Sequence, residues 1–369
     1  MEVIGLIAEY NPFHNGHLYQ INKIKEMYPD SLIILILNGY FLERGIPSIE
    51  SKETKTELAL KYGIDLVVEL PFVFGTNSAD IFAEKSLELL NELKINKLVF
   101  GSESNNIDNL ITIAKTQLDP EFDSKLKEYL ATGINYPTAL NKAIGIELNE
   151  PNDLLVVSYI KAILKNNYNI EPITIQRTNS YHDTTSNDEI ISASNVRAKL
   201  EENLDISKYV PEAKVNKINE ELLFNLIKYK IITEHDLSIY LTVDEGIDNR
   251  LKKVINNVSS LDELITNIKT KRYTYNRIMR MLIHILIGLT KEDKEQIQNN
   301  EYIRLLGFNS KAQEHINKIK KDINLPIVTK YTSVESKIKD YELKAAAIYK
   351  LITNDDVLTF ELSNKPIKR

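Results

Sequence analysis

Val3-Ile4-Gly5-Leu6-Ile7-Ala8-Glu9-Tyr10-Asn11-Pro12-Phe13-His14-Asn15-Gly16-His17 is the stretch whose reading decides the fold. The apolar run over residues 3–8 predicts a buried strand, Asn11-Pro12 predicts a turn, and an amphipathic helix opens at Asn15-Gly16-His17. A helix start leaves backbone N–H groups unpaired at the positive end of the helix dipole, so strand, turn and helix in this order make a ready site for phosphate. His14 and His17 are three residues apart and can face one bound anion. Two histidines beside a turn are also compatible with plain surface residues. Pro12, Gly16 and the strand directly before them favour the anion site.

Working outward, the same alternation repeats. Residues 31–37 hold the unbroken apolar run Leu32-Ile33-Ile34-Leu35-Ile36-Leu37, the pattern of a parallel strand buried on both faces, which ends in Asn38-Gly39. A helix over 52–62 leads to a third strand over 65–70, stopped by Pro71. A helix over 79–93 leads to a fourth strand over 97–100, closing at Gly101-Ser102-Glu103. Strands alternating with helices predict an open parallel sheet whose ligands lie beyond the carboxyl ends of the strands. The histidine pair, Asn38-Gly39, Glu69 and Gly101 all fall at such ends.

Residues 104–170 read as mainly helical, broken at Tyr136-Pro137 and again at the turn Pro151-Asn152-Asp153 before a helix over 154–164. A fifth strand over 172–176 precedes Arg177, and a polar loop over 178–189 contains Tyr181-His182-Asp183. Then comes Ile191-Ser192-Ala193-Ser194-Asn195-Val196-Arg197, in which Ser192 or Ser194 caps a helix. Serine hydroxyls and helix N–H groups bind phosphate oxygens, and Arg197 adds a planar, always-charged fork. Alone this would read as a capped surface helix; with the histidine turn it makes a second phosphate site.

Composition sets bounds. The chain of 369 residues suits two domains, and 43 % apolar with 27 % charged residues is ordinary for a globular protein. No run approaches the roughly 20 apolar residues of a membrane span, and the chain enters a strand at once with no basic-then-apolar leader, so a cytoplasmic location with no membrane partner is expected. With no cysteine, and no cluster among the six histidines beyond the pair above, neither a disulfide nor a zinc site is expected. The net charge of −6 hides an asymmetry: residues 1–205 hold 18 Lys+Arg against 30 Asp+Glu, and residues 206–369 hold 28 against 22. An acidic first half and a basic second half suit a polyanionic partner for the second.

Beyond about residue 205 the periodicity is helical with few convincing strands. In the segment over 269–289, Ile278, Met281, Leu282, Ile285 and Leu289 keep helical spacing. Lys269, Lys271, Arg272, Arg277 and Arg280 gather towards its start, with Tyr273 and Tyr275 interleaved. Cations beside aromatic rings suit RNA backbone contact and base stacking, and a solvated basic helix end is the plainer alternative.

Asn11-Pro12-Phe13-His14-Asn15-Gly16-His17 resembles the HxGH signature of the nucleotidyltransferase superfamily, and Ser192-Ala193-Ser194-Asn195-Val196-Arg197 resembles its second, triphosphate-gripping signature. Together with Phe41-Leu42-Glu43-Arg44-Gly45, Asp65-Leu66-Val67-Val68-Glu69-Leu70-Pro71-Phe72, Phe100-Gly101-Ser102-Glu103, Tyr181-His182-Asp183, Lys269-Thr270-Lys271-Arg272-Tyr273-Thr274 and Leu305-Leu306-Gly307-Phe308-Asn309, the set resembles the tRNA(Met) cytidine acetate ligases. Glu43 departs from the glutamine usual in that family, which leaves the role of its loop open.

The resemblance implies an α/β fold: a Rossmann-like nucleotidyltransferase domain with an open parallel sheet over 1–205, then a mainly helical, tRNA-binding domain over 206–369. It implies that acetate attacks the α-phosphate of ATP, giving acetyl-adenylate and pyrophosphate. The N4 amine of the wobble cytidine of elongator tRNA(Met) then takes the acetyl group. By the same resemblance Ile7, Ala8, Glu9, Tyr10, Asn11, Pro12, Phe13, His14, Asn15, Gly16, His17, Leu18, Tyr19, Gln20, Gly101, Asn152 and Arg177 form the ATP site with Ser192, Ser194 and Arg197. His14, His17 and Arg197 are the expected catalytic residues, Mg²⁺ is expected to bridge the phosphates, and no protein metal cage is visible. Two other classes share these motifs: a small-molecule adenylyltransferase, against which the extra helical half argues, and a non-catalytic nucleotide- or RNA-binding relative, against which the intact His14, His17 and Arg197 argue.

Overall fold

The computed structural model describes residues 1–369 except 135, 179–185, 187, 271 and 364, and the side chains of 136 and 137. Its first half alternates as the pattern predicts: β1 (Val3–Ala8), α1 (Asn15–Met27), β2 (Leu32–Asn38), α2 (Lys52–Tyr62), β3 (Leu66–Leu70), α3 (Phe72–Gly75), α4 (Ala79–Glu92) and β4 (Lys97–Ser102). Four helices follow, α5 (Ile107–Gln117), α6 (Phe122–Ala131), α7 (Tyr136–Ile144) and α8 (Pro151–Lys165), then β5 (Glu171–Gln176) and α9 (Ala193–Glu201). The ends have local causes. Ser51 accepts the Thr54 N–H at the start of α2, and Gly63, at φ +113°, stops it; Pro151 occupies the first turn of α8, where its missing N–H costs nothing.

The strand order is β5-β4-β1-β2-β3, all parallel, with β1 facing β2 from Val3↔Leu32 to Ala8↔Leu37. Every residue of β2 is buried: Leu32, Ile34 and Ile36 join the core on one face, and Ile33, Leu35 and Leu37 join the core that α1 and α2 cover on the other. That is why the run shows no polar alternation. The chain leaves β1 towards β2 and later returns to β1's other side as β4. The crevice between their carboxyl ends is therefore the switch point where such sheets bind ligands.

The second half contains α10 (Glu220–Thr233), α11 (Ile247–Val254), α12 (Leu261–Ile268), α13 (Tyr275–Ile287), α14 (Lys291–Gln296), β6 (Ile303–Phe308), α15 (Ser310–Ile319), β7 (Ile327–Val328), α16 (Lys337–Thr353), α17 (Val357–Leu362) and β8 (Ile367–Lys368). It is mainly helical, but it does not stand apart from the sheet. β6 pairs antiparallel with β3, and β7 and β8 pair with β6. A six-residue segment interrupted by Arg304, inside a helical background, carries too little periodicity to be read as a strand. Gly307 is required there, since a Cβ would stand 2.7 Å from Leu60 and 2.8 Å from Thr56 of α2.

A buried ion cluster ties the two halves together. The Lys52 amine meets Glu69, lies 2.9 Å from Glu361 and 3.1 Å from Glu342, and the Arg304 guanidinium lies 3.1 Å from Glu69 and 2.5 Å from Glu361. Burial alone would raise the Glu361 carboxyl, but Arg304 and Lys52 hold it at about 2. Removing one member of such a cluster strands the others without compensation. Lys52→Met is therefore expected to lower the unfolding free energy by about 3–5 kcal/mol, read from urea titrations. A midpoint unchanged from the wild type would show that the cluster is dispensable.

Candidate functional site

A cleft of about 360 Å³ opens at the carboxyl ends of β1 and β4. Of the residues expected there, Ile7, Ala8, Glu9, Tyr10, Asn11, His14, Gly16, His17, Tyr19, Gln20, Gly101, Asn152, Arg177, Ser192, Ser194 and Arg197 line it. Pro12, Phe13, Asn15 and Leu18 do not. Phe13 is fully buried, with its N–H donating to Glu50 Oε2 at 2.8 Å, and Asn15 holds the backbone of Glu189 and Lys208 through Nδ2. Phe13 and Asn15 support the turn from behind.

The two histidines cap their own helix. His14 Nδ1 accepts the Gly16 N–H at 3.0 Å, and His17 Nδ1 accepts the His14 N–H at 3.2 Å. With both Nδ1 atoms accepting, the hydrogen bonds assign the remaining proton of each neutral ring to Nε2. The ring centroids are 4.0 Å apart. Burial, with Arg177 and Arg197 nearby, lowers His14 from 6.5 to about 3, and burial together with His14 and Arg177 lowers His17 well below its usual value. Both rings are thus neutral hydrogen-bond donors at physiological pH.

Arg197 donates to the Asn11 carbonyl at 2.7 Å and to Ser194 Oγ at 3.3 Å, so it joins the histidine turn to the start of α9. Ser192 is the cap of α9, accepting the Asn195 N–H at 3.1 Å. At the end of β4, the stem of Arg177 lies against Gly101, where a Cβ would stand 3.3 Å from its Cγ. Its Nε is 3.7 Å from Glu103, which also accepts from Asn152.

Several site residues escaped the sequence reading. Lys55 is buried and donates to the carbonyls of Glu9, Asn38 and Gly39 at 3.1, 2.7 and 2.7 Å, closing the ends of β1 and β2; burial lowers its amine to about 7. Glu50 is buried beneath Phe13, and burial raises its carboxyl to about 8. No local signal marks Lys55, because Lys52 on the same helical face is known to be buried only from the fold. The segment over 42–46 supplies Leu42, Glu43, Arg44 and Ile46 to the cleft wall. Gly45 needs to be glycine: its φ is +78°, and a Cβ would stand 2.5 Å from the Arg280 nitrogen and 2.6 Å from the Met279 carbonyl carbon of α13.

The basic segment divides. Lys269 and Arg272 are exposed, with Arg272 3.3 Å from Glu245. Arg277 lies 4.1 Å over the Tyr273 ring and 3.8 Å from Asp244. Tyr273 corrects the expectation of a stacking ring: it is 3 % exposed, and its hydroxyl is bonded to the backbone of Asp244, so the neighbouring Tyr275 is the exposed aromatic. Arg280 is not a free surface cation either, because it pairs with Glu43 at 2.7 Å. Lys271 and the Tyr181-His182-Asp183 motif lie outside the described residues. Among the described residues no group of three or more His, Asp or Glu could hold a metal, and no helix is long and apolar enough to cross a membrane.

The HIGH Nucleotidyl Transferase family model matches residues 1–363. The chain is similar to the tRNA(Met) cytidine acetate ligase of Geobacillus sp. (strain WCH70), at 37 % identity with both chains covered completely. It is similar to that of Bacillus subtilis (strain 168), at 34 % identity over 97 % of this chain and 94 % of the other. Among solved structures, Thermotoga maritima TmcAL in its apo form I matches with a TM-score of 0.90 at 28 % identity, over 100 % of this chain and 99 % of that one. The same protein bound with alpha-thio ATP matches over the same shares, with a TM-score of 0.88 at 28 % identity.

Proposed function

This chain belongs to the HIGH nucleotidyltransferase family and, within it, to the tRNA(Met) cytidine acetate ligases, and we propose that it activates acetate with ATP and passes the acetyl group to the wobble cytidine of elongator tRNA(Met). The observation that carries this reading is the convergence on one cleft of two neutral histidine donors, the α9 start and two arginines. An acetate oxygen attacks the α-phosphorus, the bond from that phosphorus to the bridging oxygen breaks, and pyrophosphate leaves with the electron pair. The protein then needs no nucleophile of its own. Its task is to position the reactants and neutralise charge as it grows on the leaving group. The Nε2–H groups of His14 and His17 suit the phosphate oxygens, and the forks of Arg197 and Arg177 suit the departing pyrophosphate.

The described residues do not form a metal cage, so Mg²⁺ fits here as part of the MgATP substrate, held by phosphate oxygens and water. We assign the nucleotide chemistry to residues 1–205 and the tRNA face to residues 206–369, although the two share one sheet. Purified protein given ATP, acetate and unmodified elongator tRNA(Met) is expected to yield N4-acetylcytidine at the anticodon, AMP and pyrophosphate. No modified base, with an adenylated dinucleotide precursor instead, would identify a small-molecule adenylyltransferase.

For the tRNA face we propose the exposed Arg272 and the tyrosine-backed Arg277 as phosphate contacts. Arg272→Ala combined with Arg277→Ala is expected to weaken tRNA binding and to reduce the slope of log K against log salt by about 1–2. An unchanged slope in filter-binding titrations would place the RNA elsewhere.

A further inference from the structure

We propose that Glu9 accepts the proton released when the tRNA amine is acetylated, a role that rests on the two-step reading above. In that step the cytidine N4 nitrogen attacks the acetyl carbonyl carbon of acetyl-adenylate. The bond from this carbon to the AMP phosphate oxygen breaks, with the electron pair going to AMP. One N4 proton passes to the Glu9 carboxylate and from there to water. An amine that has attacked a carbonyl is strongly acidic, so a carboxylate within reach is basic enough to take its proton.

The candidates in the cleft are few. Among the described residues its lining holds two imidazoles and two carboxylates. The imidazoles are committed as donors, with each Nδ1 receiving a backbone N–H and burial keeping the rings unprotonated. Burial raises the phenols of Tyr10 and Tyr159 on the wall, and the nearby Lys55 amine is taken up by three carbonyls. Burial raises the Glu43 carboxyl to about 7, but it is committed to an ion pair with Arg280 at 2.7 Å. Taking up a proton there would break a charge pair, whereas Glu9 is held by uncharged N–H donors.

Glu9 is held differently. Its Oε1 receives both the Asn38 amide at 3.0 Å and the Glu43 N–H at 2.6 Å, which fixes the carboxylate plane at the end of β1. Among the described residues nothing donates to Oε2, and the residue lines the cleft. A carboxylate with one oxygen pinned and the other open is what a positioned proton acceptor requires.

Its place in the cleft points the same way. The phosphate donors gather around α1 and α9. From Glu9 a continuous chain of contacts runs through Glu43 to Arg280 on α13, the side from which the basic segment would present tRNA. The charged and titratable groups facing Glu9 are Lys55 from α2, Glu43 from the neighbouring loop with Arg44 and Arg280 about it, and the buried Tyr159 from α8.

The test separates the half-reactions with full-length protein. Glu9→Gln keeps the acceptor oxygen for Asn38 and Glu43 and removes only the basic site. Acetate-dependent ATP–pyrophosphate exchange is expected to fall as well, because Glu9 also lines the ATP cleft, but by far less than transfer. Single-turnover transfer from preformed acetyl-adenylate to tRNA is expected to fall on the order of a hundredfold or more, the usual worth of a general base. Glu9→Asp, which keeps a carboxylate on a shorter stem, should recover part of the transfer rate that Glu9→Gln loses. Parallel loss of both half-reactions, a raised Mg²⁺ requirement for exchange, or transfer near the wild-type rate would each overturn the assignment. If the wild type forms acetyl-adenylate but acetylates no tRNA, the reading beneath it fails and this proposal fails with it.

Discussion

His14→Ala is expected to cut acetate-dependent ATP–pyrophosphate exchange by about 10²–10³, with tRNA affinity changed less than twofold, because one preorganised donor to a charge-developing oxygen is typically worth that much. The substitution does two things at once, and they can be separated. His14 is the N-cap of α1, so alanine also removes a cap worth roughly 1 kcal/mol of stability. His14→Asn restores a good cap but does not bring an N–H to the position of Nε2. Asparagine should therefore recover the melting temperature and not the exchange rate. Recovery of both would reduce His14 to a capping residue.

The pH behaviour of this site has a definite sign. Burial holds His14 near 3 in the folded chain against 6.5 when exposed, so the ring is already neutral above that lower value. Raising the pH from 6 to 8 does not recruit it, and His14→Ala should change the height but not the shape of the exchange profile. Stability behaves differently. Between about 6.5 and 3 the unfolded chain binds a proton at this residue that the folded chain refuses, so stability falls as the pH is lowered through that window. His14→Ala should remove that part of the decline, as denaturant titrations at pH 7 and pH 5 would show.

What the sequence revealed and what it hid have physical reasons. The parallel strands were legible because burial on both faces leaves a run such as residues 32–37 no polar alternation to confuse it. Helix α2 was legible to the residue because Ser51 and Gly63 punctuate it. The turn after β1 and the start of α9 were legible because a capping residue must stand next to the helix that it caps. Burial of polar residues was not. Nothing local tells that Lys52, Lys55 and Glu50 are interior, because their partners come from the ends of β1 and β2, from β3, and from α16 and α17, up to 309 residues away in the case of Lys52 and Glu361. Tyr273 misled for the same reason: an aromatic between cations reads as a base-stacking ring until the backbone of Asp244 is found holding its hydroxyl.

Arg197→Lys is the second large effect expected, and it tests whether the two signature motifs act as one device. The guanidinium donates with one nitrogen to the Asn11 carbonyl in the histidine turn and with another to Ser194 at the start of α9. A lysine keeps the positive charge, but its single ammonium cannot reproduce a planar fork bridging two segments. If Arg197 contributed only charge, lysine would restore most of the activity. If it sets the distance between the histidine donors and the α9 start, exchange should fall by about 10²–10³ and tRNA binding should stay intact. The reverse reaction discriminates further, since pyrophosphate adding to acetyl-adenylate uses the same transition state. Arg197→Lys should slow ATP synthesis from acetyl-adenylate and pyrophosphate, while single-turnover acetyl transfer to tRNA, which involves no pyrophosphate, should slow far less. Equal loss in all three measurements would mean that Arg197 holds the fold of the cleft rather than the triphosphate.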